Sequence, residues 1–312
     1  MTRLTQFPSH LTDLQHSCVF GFLLFLFLSL GSQESFAQTF NPGSTGADGA
    51  LVLTTPGVID FDPTTFNPPL DPDGDNVYHF TSITIGTGVT VRLTDEHLTG
   101  PVFWLANGPI QIDGTIDLNG QDGFYSTDPT QPHRTSAGAG GFAGGSFALA
   151  PSATKFSGLG PGGGVVKSNW TKGTAAAHRT KTSYSSQTIY GNDFLVPLTG
   201  GSGGSGGVHS SGNSGATGGA GGGAFLLATP GTMTINGAIT AKGGETLTSS
   251  GSKCPSSRNN VAGGAGSGGS IHLLANRIEG AGTLDVLGGC ATNGLTARAG
   301  SGYIRLEAVE NA

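Results

Sequence analysis

Three aspartates in one short stretch have a spacing that can bind a metal ion. In the stretch DPDGDN, Asp71, Asp73 and Asp75 occupy alternate positions and can converge on one hard cation, with Ca²⁺ as the candidate. The first five positions match an EF-hand loop, but Asn76 replaces the glycine of position six and Ser82 replaces the closing glutamate. The alternative is an acidic turn before the next strand. No other cofactor is expected.

A second set of acidic residues suggests cleavage of polysaccharides, a reaction that uses clustered carboxylates. The candidates are Asp113, Asp117, Asp122, Glu279 and Asp285. When the internal repeats of the chain are aligned, Asp117 matches Thr240 and Asp285, so only two carboxylates share a column. The histidines after residue 37 have no triad or zinc spacing, and they are His79, His97, His133, His178, His209 and His272. The sequence therefore favours a non-catalytic protein, with a polysaccharide lyase or hydrolase of β-helix type as the alternative.

The composition is rich in glycine and poor in charge. Glycine makes up 56 of the 312 residues, while charged residues account for 11% and hydrophobic residues for 36%. The content of β-branched and aromatic residues is too high for a disordered chain, so the protein should fold. The formal net charge is −6, and no basic patch is available to replace the counterions of a nucleic acid. Nucleic acids are therefore not expected among the partners.

The first 37 residues have the order of a secretory signal peptide. Arg3 precedes an apolar run at 19–30, and Ser35-Phe36-Ala37 forms a small-x-small cleavage site. The run is shorter than the roughly 20 residues that cross a bilayer, and no second run of that length follows. We expect cleavage after Ala37 and a mature chain, without a transmembrane segment, that is secreted or lies at the cell surface.

Two cysteines remain after the predicted cleavage. Cys254 and Cys290 both lie in loop sequence flanked by polar or glycine residues, and neither has a metal-binding spacing to a histidine. An oxidising compartment allows them to pair, and a disulfide there would add about 3 to 4 kcal/mol in the chain-entropy model. The alternative is two buried free thiols. We favour the disulfide.

An internal repeat of about two dozen residues organises the rest of the chain. The clearest copy, at 222–244, reads GGAFLLATPGTMTINGAITAKGG; copies begin at residues 100 and 269, and a half copy, SGYIRLEA, ends the series. Repeats of short apolar β segments are typical of stacked units that bury a common face. The fold expected is all-β, a right-handed parallel β-helix or solenoid with long glycine-rich insertions. Because Asp113-Gly114 and Asn236-Gly237 also suit tight hairpins, an antiparallel β-sandwich is the alternative.

Alignment of the four copies by their alanine endings predicts which residues face the interior. Alternate positions of a strand share a face, and one face is apolar in every copy. The predicted interior set is Val102, Trp104, Ala106, Ala224, Leu226, Ala228, Ile271, Leu273, Ala275, Ile304, Leu306 and Ala308. The opposite face changes from Phe103 and Leu105 in the first copy to Arg305 and Glu307 in the last. We therefore expect another segment to cover the outer face of the first three strands.

The domain boundaries follow from these features. Residues 1–37 form the signal peptide, 38–99 an N-terminal capping β module, and 100–312 the repeat domain with glycine-rich insertions at 121–221 and 245–267. Within the first insertion, glycines recur every third residue from Gly200 to Gly221, interrupted at His209. Period three is typical of polyproline II, in which glycine lets neighbouring chains approach closely. An ordered cover over the sheet and a flexible Gly/Ser linker remain equal alternatives.

The runs FTSITIGTGVTVRL, GPVFWLANGPIQIDGTIDLNGQDG, GGAFLLA and SGYIRLEA resemble those of secreted glycine-rich bacterial proteins whose repeats are similar to right-handed β-helix surface proteins and adhesins. The resemblance covers most of the mature chain and implies its architecture, but it assigns no catalytic residue. It implies a secreted or cell-surface structural protein, adhesin-like, with glycans or surface proteins as partners.

Overall fold

The structure is a computed structural model, and it describes residues 40–128, 133–167, 171–181, 187–247, 261–290 and 298–309. The predicted signal peptide lies outside these ranges. Within them, no helix has the length and apolar character needed to cross a membrane. The elements in chain order are β1 Gly49–Leu53, β2 Gly57–Asp60, a 3-10 turn at Pro63–Thr65, β3 Val77–Ile85, β4 Val89–Arg92, β5 Val102–Ala106, β6 Ile110–Ile112, β7 Thr115–Asp117, β8 Tyr125–Ser126, β9 Phe147–Ala148, β10 Thr154–Lys155, β11 Gly207–Val208, β12 Gly215–Ala216, β13 Ala224–Ile235, β14 Ala238–Thr240, β15 Ser270–Glu279, β16 Thr283–Asp285 and β17 Tyr303–Ala308.

Two parallel sheets form the main body, so the all-β prediction is confirmed. The first sheet has the order β1-β3-β5-β13-β15-β17, with β6 beside β3 and β13. The second has the order β2-β4-β7-β14-β16. Strands pair with their neighbours in chain order, as expected when each repeat lies beside the next. Because every pair in both sheets is parallel, the antiparallel sandwich is wrong for the repeats.

Each full repeat supplies one layer to both sheets, and the half copy supplies a strand to the first sheet only. Layer 1 contains β1 and β2; layer 2 contains β3 and β4; layer 3 contains β5, β6 and β7; layer 4 contains β13 and β14; layer 5 contains β15 and β16; and layer 6 contains β17. The predicted capping module at 38–99 therefore supplies the first two layers. Its side chains belong to the same hydrophobic core as those of the repeats, from Leu51 of β1 to Leu273 of β15.

The Asp-Gly and Asn-Gly pairs form corners between the two sheets, and they do not form hairpins. Asn236 and Gly237 both donate their N–H groups to the carbonyl of Ile112 in the layer below, at 2.8 and 3.0 Å. A Cβ on Gly237 would collide with the carbonyl oxygen of Gly114. Glycine is required at this corner because the stacked backbones approach too closely for any side chain.

The register of β13 differs from the predicted one by one residue. Leu227 of β13 pairs with Trp104 of β5 and with Leu273 of β15, whereas Leu226 pairs with Phe103. Trp104, Leu227 and Leu273 are fully buried in the interior. Leu226 instead points to the outer face, so the alignment by alanine endings was wrong for this copy. Thr229, and not Ala228, matches Ala275.

A short loop covers the outer face that was predicted to need a cover. Leu195 and Leu198 pack against Phe103 and Leu226 there, together with Tyr303. The cover is thus the segment around 192–199, which precedes the glycine tract. The aliphatic side chains of this loop exclude water from a face that is apolar in layers 3 and 4.

The glycine tract is ordered and forms a bundle of extended chains with a period of three. Gly218 and Gly221 donate N–H groups to the tract at 142–145, and Gly219 and Gly222 donate to the tract at 264–267. The residues at the third position of the period, beginning with Ala220, donate their N–H groups to the tract at 118–121. One chain therefore bonds to three neighbours in turn, as a polyproline II-type chain can. The tract is therefore ordered, as one alternative predicted, but the cover over the outer face of the sheet is the loop at 192–199 and not this tract.

Candidate functional site

An open groove of about 530 Å³ runs along the outer face of the second sheet and the turns that follow its strands. Layers 2 to 5 all contribute to its walls. The charged lining residues are the carboxylates Glu96, Asp117, Asp122, Glu245 and Asp285 and the basic residues Arg92, Lys242 and Arg298. We call this feature the carboxylate groove. Among the described lining residues, none is aromatic, so the groove recognises ligands by hydrogen bonds and charge.

A column of polar side chains runs in register across the second sheet, and three of its members, Arg92, Asp117 and Asp285, line the groove. Asp60, Arg92, Asp117, Thr240 and Asp285 occupy equivalent positions on the five strands. They alternate with buried residues such as Ile116 and Ile239, because successive side chains of a strand point to opposite faces. The column therefore places one polar group about every 4.8 Å along the stack.

The same side-chain turn follows two strands of the column. Asp117 accepts a hydrogen bond from the backbone N–H of Asn119 at 2.8 Å, and Asp285 accepts one from Leu287 at 2.9 Å. Each carboxylate thus closes an Asx turn with one oxygen. This turn fixes the orientation of both side chains in the groove.

Side chains of layer 3 also bond to the backbone of layer 4 along the wall. Asn119 accepts from the N–H of Lys242 at 2.7 Å, and Asp122 accepts from the N–H of Glu245 at 2.8 Å. Both pairs are separated by 123 residues in the sequence. These bonds satisfy backbone donors where the strands end, and they hold Lys242 and Glu245 at the groove.

An ion pair marks the end of the groove at layer 2. The Arg92 guanidinium binds both carboxylate oxygens of Asp60, with N–O distances of 2.6 and 2.8 Å. The hydrogen bond from Arg92 lowers the pKa of Asp60, and the reciprocal bond raises the pKa of Arg92. Both side chains are about half exposed, so the pair contributes little to stability. It leaves the carboxylates as the dominant charge of the groove.

Three of the five candidate acidic residues, Asp117, Asp122 and Asp285, line the groove. The alignment placed Asp117 and Asp285 in one column but did not place Asp122 with them. Asp113 lies at a corner between the sheets, where it accepts hydrogen bonds from Gln111 at 2.6 Å and Asn236 at 2.8 Å. Glu279 lies on the first sheet and forms a 2.8 Å ion pair with Arg277.

Sequence reasoning missed the other charged residues of the groove. Arg92, Glu96, Lys242, Glu245 and Arg298 come from three separate stretches of the chain. The repeat could have indicated two of them. In the alignment of neighbouring copies, Lys242 corresponds to Asn119 and Glu245 corresponds to Asp122. The remaining three lie outside the repeated segments.

The predicted calcium turn uses its carboxylates for backbone hydrogen bonds. Asp71 accepts from the N–H groups of Asp75 and Asn76 at 3.1 and 2.8 Å, and Asp75 accepts from Val77 at 2.9 Å. Burial raises the pKa of Asp71, although both backbone bonds oppose that shift. No cluster of three potential metal ligands occurs among the described residues, Asp73 included. The geometry favours the acidic turn, and calcium binding by Asp71, Asp73 and Asp75 stays a prediction.

Only one of the two cysteines of the predicted disulfide, Cys290, lies among the described residues. Cys290 is fully buried, and its carbonyl accepts from the backbone N–H of Thr246 at 3.2 Å. Cys254 lies outside the described residues. The pairing of Cys254 with Cys290 therefore stays a prediction.

Two histidines have acidic neighbours that their scattered sequence positions did not indicate. His272 Nε2 lies 2.7 Å from Glu307 Oε1, and His97 Nδ1 lies 3.5 Å from Asp62 Oδ2. Desolvation lowers the pKa of His272 despite the nearby carboxylate. Thr64 Oγ1 donates to Asp62 Oδ1 at 2.6 Å, but in the described part of the chain no hydroxyl or thiol is hydrogen-bonded to either imidazole, so no triad results.

Comparisons with known proteins add no assignment to this geometry. No protein-family model, curated protein or solved structure matches the chain.

Proposed function

We propose that this chain is a secreted or cell-surface structural protein, adhesin-like and without catalytic activity, that binds glycans in the carboxylate groove. The observation that carries the proposal is a polar column along the groove, in which Asp117 and Asp285 line the groove and stand in register on either side of Thr240. A polymer of sugars presents hydroxyl groups at regular intervals, and a column with a fixed spacing can bind several of them together.

The charge of the groove restricts the class of glycan. Five carboxylates outnumber three basic groups in the lining, and Asp60 already binds one of those, Arg92. Polymers of uronic acids would be repelled. Neutral sugars, and sugars with amino groups, fit better because carboxylates accept hydrogen bonds from hydroxyl and ammonium groups.

The handedness of the fold and the cellular location are part of the same proposal. We infer that the layers wind as a right-handed parallel β-helix, since crossover connections between parallel strands of one sheet are right-handed in about 98% of cases. The resemblance to glycine-rich bacterial surface proteins and the signal-like residues 1–37 support an extracytoplasmic location. A rigid stack suits a surface protein because it holds the groove without any moving part.

A glycan array with the full chain tests the proposal. We expect binding to a neutral or amino-sugar polymer, and the variants Asp117→Asn and Asp285→Asn should each reduce affinity at least about tenfold, or about 1.4 kcal/mol. Asparagine keeps the oxygen that closes each Asx turn, so the fold is preserved. Asp113→Asn is the matched control because Asp113 lies outside the groove. Equal losses in all three variants, or no bound glycan, would reject the proposal.

A polysaccharide lyase or hydrolase is the second candidate, and one observation favours it. Asp117 and Asp285 flank Thr240, which places their Cα atoms about 9.5 Å apart at two strand spacings. Inverting glycosidases hold their two carboxyl groups about 6.5–9.5 Å apart. Release of reducing ends from neutral or amino-sugar polysaccharides, abolished by Asp117→Ala and retained by Asp113→Ala, would establish the enzyme and replace the non-catalytic assignment.

A further inference from the structure

The last strand of the first sheet leaves apolar residues exposed. In the described chain β17 pairs with β15 alone. Ile304 and Leu306 occupy the same columns as the buried Ile271 and Leu273, yet they are 43% and 55% exposed. Exposed core-type residues on an unpaired edge are unusual, because such edges attract further strands.

The backbone of β17 presents hydrogen-bonding groups to the outside at every second residue. Tyr303 and Val309 donate their N–H groups to the carbonyl groups of Gly269 and Ala275. The backbone N–H and C=O groups of the odd-numbered residues of β17 therefore point towards β15. By the alternation of a strand, Ile304, Leu306 and Ala308 direct their N–H and C=O groups away from the sheet. Leu306, the more exposed of Ile304 and Leu306, therefore has backbone groups that are directed away from β15.

The sequence of β17 is complementary to itself when it is read in the opposite direction. In an antiparallel pair centred on Leu306, this residue faces its own copy, Ile304 faces Ala308, and Arg305 faces Glu307. The centre falls on a residue with outward N–H and C=O groups, as a hydrogen-bonded antiparallel pair requires. Arg305 and Glu307 then occupy the closer, non-hydrogen-bonded positions, where opposite charges stabilise the pair.

Both charged side chains are already oriented on the outer face. Arg305 Nε lies 2.5 Å from Glu307 Oε1, and the Arg305 guanidinium lies 5.2 Å from the ring of Phe194. Phe194 is itself largely exposed. The edge thus combines an apolar centre, a charge pair of both signs and an exposed ring in the adjoining loop.

We propose that β17 is a dimerisation strand, which pairs antiparallel with β17 of a second copy of this chain about a two-fold axis at Leu306. Two copies related in this way bury Ile304 and Leu306 of both chains and continue the first sheet across the interface. A two-fold contact is closed, so it yields dimers and not fibres.

Charge exchange at the edge tests the proposal by sedimentation of the full chain over a range of concentrations. The unaltered chain should form dimers. Arg305→Glu places two acidic residues at facing positions and Glu307→Arg places two basic ones, so each variant alone should dimerise at least tenfold more weakly. An equimolar mixture of the two variants should recover the dimer, because every facing pair is again of opposite charge.

Two further variants separate loss of the interface from loss of the fold. Leu306→Pro removes an outward N–H group that β15 does not use, and edge strands tolerate proline at such positions, so a folded monomer is expected. Arg92→Glu changes an exposed arginine on the second sheet and should leave the dimer intact. A monomeric unaltered chain at high concentration, a dimeric Leu306→Pro variant, or a mixture that stays monomeric would overturn the proposal.

Discussion

The imidazole of His178 stacks on the phenol ring of Tyr190, with ring centroids 4.4 Å apart and planes inclined by 25°. The Nδ1 atom of His178 lies 2.7 Å from the carbonyl oxygen of Gly268, so Nδ1 carries the proton and donates it. Nε2 is buried without a hydrogen-bond partner among the described residues. The edge of Tyr303 closes the other side of the ring. His178 thus joins the glycine bundle to β17 as a neutral side chain.

Acid should destabilise the protein through His178. Burial lowers the pKa of His178 to about 4 from 6.5, so its neutral form is favoured in the folded chain. The stability it contributes is present above pH 6.5 and is lost as the pH falls from about 6.5 to about 4. Each pKa unit corresponds to about 1.4 kcal/mol, which gives up to about 3 kcal/mol.

The measurement is the free energy of unfolding at pH 7, 5 and 4, for the unaltered chain and for His178→Gln. Glutamine keeps an N–H donor for Gly268 and does not titrate in this range, so the variant should lose less stability on acidification. Equal pH dependence of the two proteins would contradict the role of His178.

A methyl group at Gly219 should disrupt the glycine bundle. A Cβ there would collide with the carbonyl oxygen of Gly244, and the rigid neighbouring backbone cannot move aside. Gly219→Ala should therefore lower the free energy of unfolding by about 1–3 kcal/mol, as overpacking does. Gly231→Ala is the control, because the nearest atom to its Cβ would be Thr229 Oγ1 at 3.5 Å, which is an ordinary van der Waals contact. Thermal unfolding distinguishes them, and similar melting temperatures would argue against a packed bundle.

Two adjacent leucines should differ in their contribution to stability. Leu227 lies in the main core and Leu226 lies under the loop at 192–199. Leu227→Ala should cost about 2–5 kcal/mol because it leaves a cavity in a closed interior. Leu226→Ala should cost less, since this side chain is partly exposed and the covering loop can relax. Denaturant unfolding measures both values, and a larger loss for Leu226→Ala would indicate that the register of β13 is wrong.

The stability of the acidic turn should depend on Asp71, both in the presence and in the absence of calcium. Asp71 has a φ of 50°, in the left-handed region, and its carboxylate accepts two backbone N–H groups. Asp71→Ala should lower stability by about 1–2 kcal/mol through the loss of these bonds. Asp71→Asn should cost less, because asparagine tolerates this φ and keeps one acceptor. Melting curves with calcium and with a chelator should coincide. If calcium stabilises the protein and Asp71→Ala removes that stabilisation, the calcium site is supported and the simple acidic turn is wrong.

The sequence by itself determined that short apolar strands recur and stack in chain order. Four copies with alternating apolar residues cannot bury one face separately, so a shared interior follows from the pattern alone. The period-three glycines were compatible with close-packed extended chains and equally with a flexible linker, and the hydrogen bonds between the tracts decided between the two.

Only the tertiary structure decided the register of β13 and the composition of the groove. A shift of one residue moves every side chain of a strand to its other face, and the apolar run AFLLA offers no local reason to prefer one register. The buried Trp104 and Leu273 on either side select Leu227 over Leu226. The groove escaped prediction because residues as distant as Arg92 and Arg298 meet through the stacking of layers, which depends on spatial neighbours and not on spacing along the chain.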